Sequence, residues 1–168
     1  VNNPFYKPED MQKTLDAVLG GKRYTNINFL PHLEKNSEVN EFLNAIDVDL
    51  TGLSGAEGWN LPSFNATCLG KWSIVLNATS HKDWATKENS ILIEPNGEVD
   101  CADNVFFKKG SPFNQGTFYS WDEDQVLAAM EESEKKVGHT NTEGQKLADK
   151  LTYSNTVDVI MSRISNDF

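Results

Sequence analysis

Apolar residues along this chain fall alternately into helical and extended patterns. After Pro8-Glu9-Asp10, Met11, Leu15, Val18 and Leu19 share one helical face, and Gly20-Gly21 ends the segment. Residues 26–30 (NINFL) read as a short strand stopped by Pro31. Ser37 then precedes Val39, Phe42, Leu43 and Ile46, an i, i+3, i+4, i+7 stripe. Residues 47–53 (DVDLTGL) predict a strand, and Leu61 to Leu69 a helix with Pro62 in its first turn, where proline is tolerated. The runs 72–76 (WSIVL) and 90–93 (SILI) are almost wholly apolar, as expected of strands with both faces covered.

Residues 96–119 carry scattered Gly, Pro and Asn and read as a loop. Helices then occupy the rest of the chain, residues 120–168. Ser120 and Glu123 form a capping-box pattern, Val126, Leu127 and Met130 supply the expected buried face, and Lys135-Lys136 and Gly138 the stop. Thr142 to Leu151 and Ser154 to Ile164 follow, the latter with Val157, Ile160, Met161 and Ile164 in register. About four strands alternating with helices of about ten residues imply an α/β fold with a doubly wound parallel sheet. In such sheets ligands bind beyond the carboxyl ends of the strands, so the residues after each strand carry the search for a site.

Composition narrows the function. A chain of 168 residues, 38% hydrophobic and 24% charged, suits a single folded domain over residues 1–168. Its formal net charge of −10, with no Lys/Arg stripe, argues against nucleic acid and anionic membranes as partners. No stretch approaches the roughly 18 apolar residues of a membrane span. The opening Val1 to Tyr6 does not read as a signal peptide, and the two cysteines, Cys68 and Cys101, make no disulfide framework. A cytoplasmic location is therefore expected, with Asn65-Ala66-Thr67 and Asn77-Ala78-Thr79 as chance matches to a glycosylation pattern.

The most informative stretch follows the predicted strand 47–53. Ser54-Gly55-Ala56-Glu57-Gly58-Trp59-Asn60 is a glycine-bearing turn that feeds directly into a helix. Free N–H groups at a helix start, together with the helix dipole, make a seat for a diphosphate. Glu57 at the mouth of that seat would repel phosphate and is better suited to accept hydrogen bonds from sugar hydroxyls. The plainer alternative is a surface turn in which the glycines serve only the backbone.

The stretch Ser54, Glu57-Gly58-Trp59-Asn60-Leu61-Pro62, Asn65-Ala66, Gly70-Lys71 resembles the segment around the E-x7-E motif of retaining glycosyltransferases of the two-domain GT-B architecture. Glu88 to Pro95 is similar to the family's next motif. Trp121-Asp122-Glu123-Asp124, Asn141, Gly144, Leu147 and Tyr153-Ser154 resemble its closing helices. The likeness runs from about Asn26 to Ile164 and is dense from Ser54 to Pro95. It implies a Rossmann-like nucleotide-sugar-binding (C-terminal) domain. Glu57 would be the catalytic-site glutamate contacting the donor sugar. The amides of Gly58, Trp59, Asn60 and Leu61 would meet sugar and diphosphate, Asn65 the ribose, and Pro31, His32 and Leu33 the base. No cofactor and no metal are implied; the nucleotide-diphosphate sugar is the substrate.

The departures are specific. Asn65 stands where the family has its second glutamate, a loss of charge-assisted bonding on the order of 1 kcal/mol. Asn60 replaces a glycine, Thr79 to Trp84 replaces a Gly-rich turn, and the upstream Arg…Lys phosphate clamp has no counterpart. The acceptor-binding domain is also missing, since both halves need roughly 300 residues. Transfer would then need that N-terminal acceptor domain, another protein chain, or self-association as a homo-oligomer. The competing expectation is a glycosyltransferase-like structural or interaction module without activity. A dinucleotide-binding domain is disfavoured because no G-x-G-x-x-G follows an early strand. Asp47-Val48-Asp49 resembles a metal-binding Asp-x-Asp, but it lies inside a strand whose alternate residues Ile46, Val48 and Leu50 are apolar, and a structural role is expected.

Overall fold

The run WSIVL becomes the middle of the sheet. In the computed structural model, which describes residues 8–28, 30–102, 106–113 and 115–166, the elements are α1 (Pro8–Val18), α2 (Asn36–Ala45), β1 (Val48–Gly52), α3 (Leu61–Cys68), β2 (Trp72–Leu76), β3 (Ile91–Ile93), β4 (Gly97–Asp100), β5 (Thr117–Ser120), α4 (Glu123–Glu134), α5 (Thr142–Lys150) and α6 (Tyr153–Asn166). The chain divides into two units between Phe42 and Leu43. The first contains α1. The second holds every described strand.

Strands β1, β2 and β3 form a parallel sheet in that order. Ile74 and Leu76 of β2 join Ile91, Ile93, Val126 and Ala129 in one apolar cluster, which places α4 on one face. Val75 packs instead with Trp84 and Ala85, beside Phe64 of α3 and Leu147 of α5, on the other face. This two-sided cover explains why β2 is apolar at consecutive positions rather than alternate ones. The protein is thus mixed α/β, with a three-stranded parallel sheet flanked by helices.

Four expectations are corrected. The described residues of 26–30 form no strand, Phe29 lying outside them, so the parallel sheet has three strands and not four. The expected loop 96–119 contains β4 and, with Ser120, β5, paired antiparallel from Gly97↔Ser120 to Asp100↔Thr117. Ser120 is consequently a strand residue whose Oγ donates to Asn96 Oδ1 at 2.7 Å, and Asp122 caps α4 through Asp124 N. The buried face of α4 is Val126, Ala129 and Ser133, whereas Leu127 and Met130 are exposed: small side chains let the helix lie close on the sheet.

The apolar alternation expected in β1 is also reversed beyond Val48. Asp49 is buried and Leu50 exposed. Burial of Asp49 is tolerated because its carboxylate accepts from Ser63 Oγ at 2.5 Å and from Thr51 Oγ1 and N. The apolar stripe of α6 forms as its spacing predicts, but Val157, Ile160, Met161 and Ile164 are all exposed. No described helix is long and apolar enough to cross a membrane.

The α3–α5 contact shows how closely these layers approach. Asn141 caps α5 by accepting from Gly144 N, while its Nδ2 donates to the carbonyls of Lys71 and Asn89. A Cβ on Gly144 would lie 2.5 Å from Thr67 O and 2.8 Å from Asn141 Nδ2. Alanine normally stabilises a helix interior by about 1 kcal/mol over glycine. Here Gly144→Ala is expected to destabilise by about 1–3 kcal/mol, seen as a lower urea midpoint at unchanged slope. A raised midpoint would show that α3 and α5 are less tightly packed than this geometry requires.

Candidate functional site

The turn between β1 and α3 lies at the carboxyl end of a parallel strand. Two close approaches hold its beginning: Tyr119 N donates to Gly55 O at 3.1 Å, and Trp121 Nε1 to Leu53 O at 2.8 Å. Residue 55 must be glycine, because a Cβ there would fall 1.9 Å from Tyr119 O. Glu57 is half-buried and its carboxylate accepts no hydrogen bond from the described residues. The amides of Gly58, Trp59, Asn60 and Leu61 likewise donate to nothing among the described residues. Such a run of unpartnered amides at a helix start is what an anion can use.

Asn60 shapes the run. It adopts the left-handed conformation (φ 61°), which asparagine tolerates far better than most residues. Its Oδ1 caps α3 by accepting from Ser63 N at 3.2 Å, and its Nδ2 donates to Thr51 O at 3.0 Å. The same Nδ2 faces His81 Nε2 at 3.2 Å, while His81 Nδ1 is 2.8 Å from Leu76 O. Leu76 O can only accept, so Nδ1 carries the imidazole proton and Nε2 accepts from Asn60. Trp84 adds a second tie through Nε1 to Trp59 O at 3.2 Å, and its ring meets His81 and Phe64 edge-on. The 3-10 turn Thr79–Asp83 after β2 therefore braces the turn after β1.

The structure brings Glu57, Gly58, Trp59, Asn60, Leu61 and Asn65 onto one turn and its helix. Leu61 and Asn65 are exposed on α3, and the Asn65 amide makes no side-chain bond within the described residues. His32 is exposed and Leu33 half-buried in the unit that ends at Phe42. The strand expected to precede them is not formed by the described residues of 26–30. Towards α3 the run of amides is bounded: Pro62 has no N–H, and Asn60 itself occupies Ser63 N. Only the four amides of residues 58–61 remain.

His81, Trp84 and Thr79 escaped the sequence reading. Nothing in the segment 79–84 shows that it folds under the turn, since the contacts span more than twenty residues. Thr79 sits at φ 50°, a strain of about 1 kcal/mol or more for a β-branched residue. Its Oγ1 and the Oγ of Ser80 are buried without a partner among the described residues. Burial pushes the Cys68 thiol up to about 11, which disfavours the thiolate that a nucleophile needs. Among the described residues no group of three or more His, Cys, Asp or Glu is gathered as metal ligands would be. Asp49 is engaged by Ser63 and Thr51, and Asp47 accepts from Gly138 N.

Burial holds the His81 pKa below 6.5, against the opposing pull of the Leu76 carbonyl and the Glu57 charge. The folded chain keeps His81 neutral at a pH where the unfolded chain has already protonated it. Stability should therefore be flat above about pH 6.5 and fall as the pH drops below it, levelling off under the depressed folded value. Denaturant midpoints against pH, compared between the wild type and His81→Gln, isolate this term; parallel curves would refute it. Asn60→Ala should lose about 2–4 kcal/mol, through the lost cap and the orphaned Thr51 O and His81 Nε2. Asn60→Gly should lose less, because glycine adopts the same φ freely. Equal losses would mean that the left-handed backbone carries no strain.

The chain matches no known family model and no curated protein.

Proposed function

We propose that this chain is the nucleotide-diphosphate-sugar-binding half of a glycosyltransferase, a Rossmann-like domain of GT-B type. The observation that carries the reading is the turn after β1, where four amides at residues 58–61 and the carboxylate of Glu57 beside them make no hydrogen bond among the described residues. The amides and the start of α3 favour the negative diphosphate, which departs with additional charge during transfer. Glu57 accepts hydrogen bonds from the hydroxyls of the donor sugar. Asn65, eight residues on and exposed on α3, bonds the ribose with its amide. No side chain of the turn supplies a positive charge, so backbone dipoles do the work of a cation. The acceptor-binding half is supplied by a further domain or chain.

A second reading has an observation of its own. Pro62 and the Asn60 cap remove two of the amides a helix start would offer, which suits a related module that binds partners without transferring sugar. Calorimetric titration with nucleoside diphosphates and their sugar conjugates separates the two. The donor reading expects saturable binding, with Glu57→Gln weakening the sugar conjugates about ten-fold and leaving the bare diphosphates unchanged. No binding at millimolar ligand by a folded sample would remove the donor reading and leave the module.

A further inference from the structure

Helix α6 (Tyr153–Asn166) is tied down at its start and then stands in solvent. Asn155 holds its first turn to the end of α5: Nδ2 donates to the carbonyls of Asp149 and Lys150 at 2.9 Å, and the backbone N–H to Thr152 Oγ1 at 3.1 Å. Yet every residue from Tyr153 to Ser165 is exposed. A lone helix of 14 residues is marginal in water, and helices in proteins persist by packing an apolar face. Such a face is present. Tyr153, Val157, Ile160, Met161 and Ile164 follow one another at helical spacing and keep 49–95% of their surface exposed. Together they present roughly 600 Å² of largely apolar surface, at the upper end of what a monomer leaves in one patch.

Three properties of the stripe fit a second copy of this chain. The first is charge. The whole chain carries −10, so two copies repel over most of their surfaces. Residues 151–166 hold only one acid and one base, Asp158 and Arg163, and at about 100° per residue each falls on a flank outside the stripe. A seam along the stripe therefore takes no charge out of water. The second is spacing. Val157, Ile160, Met161 and Ile164 are separated by 3, 1 and 3 positions, the same in either direction. An antiparallel copy, related by a two-fold axis between residues 160 and 161, sets Val157 against the partner's Ile164 and Ile160 against the partner's Met161. That is the self-complementarity a closed dimer needs. The third is area. Two such stripes bury roughly 1,200 Å² between them, which reaches the lower end of specific, stable interfaces.

We propose that α6 is the seam of a homodimer in which two copies pack their apolar stripes antiparallel across a two-fold axis. The dimer does not depend on the donor reading, because α6 contributes no residue to the turn after β1. Val159 supplies an internal control. It is 60% exposed, against 52% for Ile160, but lies on the opposite side of the helix, so general stickiness and a defined seam give different results at these two neighbours.

The test is sedimentation equilibrium of the full chain from about 5 to about 300 µM, because an interface of this size gives roughly micromolar association. The weight-average mass is expected to rise from 18.8 kDa towards twice that value. Ile160→Gln combined with Met161→Gln should weaken dimerisation at least about ten-fold, and Val159→Gln should leave it unchanged. Glutamine is a good helix former and neither position belongs to a core cluster, so both variants fold; unchanged near-ultraviolet dichroism checks this. Raising the salt from about 0.05 to about 0.5 M should tighten the dimer, by screening the repulsion between two acidic chains. A mass of 18.8 kDa throughout would overturn the proposal and assign the stripe to another protein or another segment. A dimer indifferent to the double substitution, one weakened equally by Val159→Gln, or one that dissociates in high salt would overturn it as well.

Discussion

One buried amide holds the functional edge of this protein together. The side chain of Asn60 accepts from the first turn of α3, donates to the end of β1 and donates to the imidazole that follows β2. Three elements thus meet at a residue that is itself in the left-handed region. Buried polar groups are costly unless every partner is present, which makes such a junction cooperative. With it in place, the turn from Glu57 to Leu61 has a defined course, and the amides of residues 58–61 donate to nothing among the described residues.

The position of that junction follows from the sheet. Parallel strands send their carbonyl ends and their connecting turns to one edge, and helices covering both faces leave only that edge open. On this edge lie, among the described residues, a carboxylate that accepts no hydrogen bond, four amides that donate none, two buried hydroxyls without a hydrogen-bond partner and a strained threonine. The opposite end of the sheet is closed by satisfied groups, with Asn141 bonding Lys71 O, Asn89 O and Gly144 N. Unsatisfied polarity is therefore concentrated where the fold leaves room for a ligand.

Much of the fold was legible. The spacing of Val48, Leu61, Ile74, Ile91, Val126 and Leu147 among their neighbours marked β1, α3, β2, β3, α4 and α5 within a few residues. Local signals suffice there, because helix and strand periods differ and proline and glycine mark the ends. The hairpin β4–β5 was missed because its strands are short and exposed, so no apolar alternation records them. Leu127 and Met130 were assigned to the core on hydrophobicity alone. Ala129 won the buried place because α4 lies too close to the sheet for larger side chains along that stripe.

For the site, the chain order alone put Glu57, Gly58, Trp59, Asn60, Leu61 and Asn65 on a turn and the helix after it, since they are close neighbours in sequence. Tertiary structure decided everything that depends on contacts between distant residues. It set His81 and Trp84 beneath the turn, gave Asn60 its cap and bridge in place of the flexibility of glycine, and brought Tyr119 against Gly55. It also left the described residues of 26–30 without a strand where sequence suggested one. The physical reason is the same throughout. Periodicity records which face of a segment is apolar, but which partner meets that face depends on packing among elements far apart in the chain.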